Sequence, residues 1–111
     1  MKRSPMCGEI REILDDAKHP NIALALNIKP TTAHYHKNFE EIYFVMEGDI
    51  DLEFYDPETD KTSEQKLSEN ELCVITKGIH HKITKSSEKN KLCVISVPGF
   101  DPLDETESNK I

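Results

Sequence analysis

An all-β fold is what this sequence predicts, on three observations. Apolar and β-branched residues fall in short runs that alternate with a period of two. Turn-forming residues separate those runs at regular intervals. No segment sustains the periodicity of a long amphipathic helix. Short strands with loops between them pack as an antiparallel sandwich or barrel.

Residues 10–16 admit two readings, a short helical face through Ile10, Ile13 and Leu14 or a first strand. Residues 21–29 are a strand, because Ile22, Leu24, Leu26 and Ile28 alternate with smaller residues. Pro30 ends it, and residues 31–36 begin the next. Residues 41–46 are aromatic and β-branched, and Gly48-Asp49 supplies a turn. Ile50, Leu52 and Phe54 then alternate with Asp51, Glu53 and Tyr55, a strand with one wet face. A hairpin-type loop at 56–61 leads to a polar strand at 62–67, a turn at 68–71 and a strand at 72–75. Ile79, His81 and Ile83 share a face if their segment is extended. A polar turn at 86–90 precedes the last strong strand, 91–97, which Pro98-Gly99 closes.

A chain of 111 residues favours one domain with a modest core. The expected organisation is an N-terminal segment 1–20, either an extra strand or an oligomer contact, a domain at 21–104 and an acidic tail 105–111, with the stretch from Leu103 to Ile111 pinned only by its first residues. The net charge of −7 and the lack of a Lys/Arg stripe argue against nucleic acid and anionic membrane as partners. No apolar run is long enough to span a bilayer, and the start of the chain does not read as a secretory signal. Three cysteines, Cys7, Cys73 and Cys93, form no disulfide or metal pattern. The latter two read as reduced thiols in or near the core, and the expected compartment is the cytoplasm.

The chemistry gathers in His34-Tyr-His36 and the following Glu41-Ile-Tyr43-Phe-Val45. Residues two apart on a strand point the same way, so His34 and His36 aim into one space. Lys37-Asn38-Phe39 allows a tight turn, after which Glu41, Tyr43 and Val45 line one face of the returning strand. Two imidazoles and a carboxylate suit a borderline divalent ion such as zinc, iron, cobalt or nickel. His81, in phase with Ile79 and Ile83, adds a third imidazole from the interior. His80 then faces outward or lies at the rim, and His19 is a surface residue beside Pro20.

At these residues the chain resembles the cupin superfamily, in particular its small single-domain, RmlC-like members. The spacing of His34, His36, Glu41 and Gly48 meets the whole first cupin motif. In the second, Gly78 and His81 match, while Asn70, Thr76 and Lys85 stand where the family has glycine, proline and asparagine. Asn70 can supply the left-handed turn geometry of a glycine, Thr76 keeps extended geometry, and Lys85 loses an amide that helps hold a loop. The resemblance covers roughly residues 22–104. It implies a double-stranded β-helix, or jelly-roll β-barrel, with one divalent ion (Fe, Zn, Mn or Ni) held by His34, His36, Glu41 and His81 near one end. It also implies a homodimer.

Such a site leaves one or two positions for an exogenous small-molecule substrate or ligand. Three functions follow as expectations: a dioxygenase- or isomerase-type metalloenzyme, a non-catalytic sensor or ligand-binding module, and a structural or vestigial site. Tyr43 can donate a hydrogen bond to a bound substrate or simply pack in the core. An apolar pocket around Tyr43, Val45 and Ile83 would lean toward an aromatic or keto substrate. Lys37, Lys82 and Lys85 at the mouth would lean toward a phosphorylated sugar.

Overall fold

The structure, a computed structural model, describes residues 9–111, so Cys7 and the basic start of the chain lie outside the described residues. The described chain forms strands β1 (Glu9–Leu14), β2 (Asn21–Leu26), β3 (His34–Tyr35), β4 (Glu40–Glu47) and β5 (Ile50–Asp56). β6 (Lys61–Leu67), β7 (Leu72–Ile75), β8 (His80–Ser86), β9 (Lys91–Val97) and β10 (Thr106–Glu107) complete it. The ambiguous residues after Gly8 are therefore a strand, and their exposed–half-buried alternation is that of a sheet edge. No helix among the described residues is long and apolar enough to cross a membrane.

Two five-stranded antiparallel sheets face each other, ordered β1-β2-β9-β4-β7 and β10-β3-β8-β5-β6. The period-two pattern of the sequence decides which side chains lie between them. Ala25, Val45, Ile75, Leu92 and Val94 come from the first sheet, and Ile50, Leu52, Leu67 and Ile83 from the second. β6 edges the second sheet with six exposed residues before Leu67, several of them charged, which blunts edge-to-edge pairing. This is the jelly-roll β fold that the strand pattern and motifs point to.

Five described residues, Asn27, Gly48, Asp60, Asn70 and Gly78, have left-handed backbone. Gly48 (φ +80°) closes the β4–β5 turn, where a Cβ would collide with Ser87 Oγ and the Lys89 carbonyl. Gly78 (φ +83°) needs its conformation alone, since a Cβ there would meet nothing. Asn70 does adopt the left-handed geometry, with φ of 67°. A buried amide is supplied by Asn90, which bonds the backbone of Ile28 through both its oxygen and its nitrogen.

The acidic tail departs from expectation. Beyond Asp104 it pairs as β10, matching Thr106 with Tyr35 and Glu107 with His34. The Ser108 N–H donates to the Ala33 carbonyl at 2.9 Å. His80 faces away from the interior but is only 9% exposed. It stacks on Tyr35 at 4.2 Å, packs edge-on to Tyr55, and its Nδ1 lies 2.6 Å from Ser108 Oγ. The tail thus covers what would have been a solvated face; Lys110 also lies over the ring of the buried Tyr55 at 5.9 Å, and the Tyr55 hydroxyl donates to Asp60.

Candidate metal centre

Four donor groups from both sheets meet near one end of the core. β3 and the residue after it bring His34 and His36, β8 brings His81, and β4 brings Glu41 across from the opposite sheet. His34 and His81 are cross-strand partners, so their rings share a face, with centroids 4.4 Å apart. β3 stops at Tyr35, one residue short of the expected strand, because the chain turns there into Lys37-Asn38. That turn swings His36 under the Phe39 ring, which stacks on it at 4.2 Å. One donor atom from each of His34, His36, Glu41 and His81 lies within 4.8 Å of the others. All four sequence candidates are brought together.

The orientation of the rings favours a cation. His34 Nδ1 lies 3.2 Å from the Thr32 carbonyl, His36 Nδ1 2.7 Å from that of Asp104, and His81 Nδ1 3.1 Å from that of Ile79. A carbonyl can only accept, so each Nδ1 carries the proton and, in the neutral ring, each Nε2 presents a lone pair. His36 Nε2 and His81 Nε2 lie 3.0 and 3.3 Å from Glu41 Oε1, near hydrogen-bond distance. None of the three atoms, however, has an aligned hydrogen-bond partner. Each buried polar atom left unsatisfied costs about 1–3 kcal/mol. Three acceptors converging on one point therefore fit a shared proton or a divalent ion. The residues present fit the ion that the motif implies.

Electrostatics follow the same geometry. Burial alone would push the Glu41 carboxyl up, but the imidazoles of His36 and His81 outweigh it and hold the group well below the ordinary carboxylate range. Burial likewise disfavours a charged His36, and the Glu41 carboxylate overcomes it, so His36 is raised. His34 is lowered, by burial and then by the charge of His81. Cys73 is a free thiol that burial pushes up to about 11, which keeps it protonated and inert.

Several residues at the site gave no signal in the sequence. The Asp104 carbonyl orients His36, and its carboxylate accepts the N–H groups of Lys37 and Asn38 at 2.9 and 2.7 Å. Glu105 Oε1 lies 3.7 Å from His34 Nε2. Ser96, fully buried opposite Glu41, has a hydroxyl without a hydrogen-bond partner. Tyr43 is 8% exposed, belongs to the core cluster and meets the His81 ring edge-on at 6.2 Å. Lys82 turns outward to Glu53 at 3.5 Å, away from the donor group, because its neighbour His81 turns in. His19 is exposed and bonds Asp16.

The family model for cupins matches residues 31–102. No curated protein matches the chain significantly. Among solved structures, the chain is similar to the capsular polysaccharide assembling protein CapF from Staphylococcus aureus, with TM-score 0.75 and 19% identity. That match takes in 90% of this chain but only 30% of CapF. The WlaRB TDP-quinovose 3,4-ketoisomerase from Campylobacter jejuni matches with TM-score 0.72 and 20% identity, over 90% of this chain and 92% of its own. A cupin-2 domain containing protein from Shewanella frigidimarina matches with TM-score 0.64 and 26% identity, over 78% of each chain. The first motif met in full, a jelly roll around three histidines and a glutamate, and a family match over most of the chain lead to one statement: this chain belongs to the cupin family.

Proposed function

We propose that the protein is a small metalloenzyme that binds one divalent ion with His34, His36, Glu41 and His81 and acts on a small organic substrate. The observation that carries this reading is the set of converging, buried acceptors on Nδ1-anchored imidazoles. His36, Glu41 and His81 are buried, while the His34 side chain is 19% exposed, so a ligand can approach from that side. A bound ion would polarise a carbonyl or hydroxyl oxygen of the substrate, as dioxygenase- or isomerase-type chemistry requires. The protein's part is to hold the imidazoles in one tautomer through the carbonyls on their Nδ1 atoms, with Tyr43, a member of the apolar core, edge-on to His81. A fold shared with a ketoisomerase makes isomerase assays the natural start for a zinc or manganese form. An iron form directs them to oxygen consumption with keto and aromatic compounds.

Elemental mass spectrometry of protein purified without affinity-tag nickel tests the reading. Close to one equivalent of a transition metal is the expected result. A chain that holds no metal even after reconstitution would overturn it.

Tyr43 is the residue we assign to substrate orientation, since it follows Glu41 on the same face of β4 and adjoins His81. Tyr43→Phe is expected to keep the metal and lower turnover roughly tenfold or more, the low end for a positioned hydrogen-bonding or proton-transfer group. Full turnover in that variant would return Tyr43 to core packing alone.

The outer face of the first sheet supports the homodimer. Val74, Ile42, Ile95 and Ile22 are successive cross-strand partners and form one apolar row over four strands. At the β7 edge, Val74 is 52% and Leu72 53% exposed. Such a face suits isologous packing against a second copy. Val74→Glu is expected to shift the mass measured by light scattering from dimer to monomer. A wild-type monomer at micromolar concentration would remove the proposal.

A further inference from the structure

Resting on that metal reading, we infer that the Glu105 carboxylate guards the mouth of the centre and selects neutral ligands, such as hydroxy-carbonyl or diol compounds, over anionic ones. His34 is the donor residue that reaches solvent, and Glu105 Oε1 stands 3.7 Å from its Nε2 with 53% of the Glu105 side chain exposed. Glu105 therefore sits beside the opening, partly in water. Its phase agrees: Glu107 is the cross-strand partner of His34, so residues 105 and 107 share the His34 side of the tail.

The placement is anchored on both sides. Before Glu105, the Asp104 carboxylate accepts from the Lys37 and Asn38 N–H groups, and its carbonyl accepts from His36 Nδ1–H. After it, β10 pairs with β3, and Ser108 bonds Ala33 and His80. The backbone that carries Glu105 is thus tied to the same elements that carry the donor atoms.

The consequence is a matter of charge. A divalent ion with Glu41 alone would leave a formal charge of about +1 to attract carboxylates or phosphates. Glu105 offsets part of that charge at the entrance, and the chain's net charge of −7 adds to the effect at longer range. Lys82, one of the cations that would favour a phosphorylated sugar, is turned away to Glu53. Neutral oxygen chelators meet no such penalty.

The test uses the full chain loaded with cobalt(II), whose visible spectrum reports ligand binding without turnover. Azide serves as the anionic probe and imidazole as the neutral one, with Glu88→Gln, an exposed site in the β8–β9 turn, as control for net charge. Glu105→Gln is expected to tighten azide roughly three- to tenfold and to change imidazole by less than about twofold, the scale of one partly exposed charge. The azide gain should shrink at high salt. Cobalt uptake with unchanged azide affinity, or with azide and imidazole moving together, would overturn the guarding role alone. Failure of the wild-type chain to take up cobalt would instead overturn the metal reading, and this inference with it.

Discussion

Replacing His36 with alanine is expected to remove the metal from the purified protein while leaving its strand content intact. His36 is 4% exposed, is locked by the Asp104 carbonyl at 2.7 Å and faces Glu41 at 3.0 Å. Loss of an outer hydrogen-bond partner of a metal-binding histidine alone costs about 10–100-fold in affinity. Loss of the imidazole itself costs more, and elemental analysis should fall from near one equivalent to background. The truncation also leaves a void beneath Phe39, which stacks on the ring. Large-to-small changes in a core cost on the order of 2–5 kcal/mol. His36→Gln, which keeps more of the volume, separates that packing loss from loss of the metal. Full metal content in both variants, with native circular dichroism, would dismiss the site.

Metal loading is expected to raise Tm strongly, and the gain should widen as pH rises. At a free concentration a thousand times Kd, an ion that binds only the folded state stabilises by about 4 kcal/mol. That corresponds to a shift on the order of 15 °C or more for a domain of this size. The sign with pH comes from the metal-free protein. His36 is raised above its ordinary 6.5 by Glu41, so its stabilisation is present below that value and is lost as pH rises through the folded one. Glu41 is lowered from 4.5, so its stabilisation is present above that value and is lost as pH falls through the depressed one. Metal-free protein is therefore most stable between those two ordinary values and weakens on the alkaline side. The loaded form runs the other way, because protons and metal compete for the same Nε2 atoms. Melting curves from pH 5.5 to 8, with and without chelator, should diverge. A constant gap would mean that the metal does not bind at these imidazoles.

Much of this architecture is legible in the sequence because strand information is local. The alternation of Glu41, Tyr43 and Val45 with Ile42, Phe44 and Met46 assigns each residue to a face, and the structure buries the first three. The same parity put His81 inside with Ile83, and both are buried. Three of the four donors lie in one short stretch, and strand phase gave their facing; the turn at Lys37-Asn38 does not form a hairpin, though, but carries the chain from β3 to β4 in the opposite sheet, so that Glu41 meets the imidazoles across the core. Gly48 and Asn70 were readable too, since a left-handed turn admits few residue types.

What the sequence alone determined was therefore the all-β class, the facing of the central strands and the candidate donors, all read from local strand phase and motif spacing, while residues 10–16 stayed open between helix and strand and β10 gave no signal. The tertiary structure decided the rest. The Asp104 carbonyl that orients His36 is 68 positions away along the chain, and no local pattern marks it. His80 is outward by parity, as the alternation requires, yet it is buried because the tail folds back across its sheet and places Ser108 on its ring. Glu105 reads as one more acid in an acidic tail until β10 pairs with β3 and brings it beside His34. Periodicity tells which way a side chain points. Only packing between distant segments tells what it then meets.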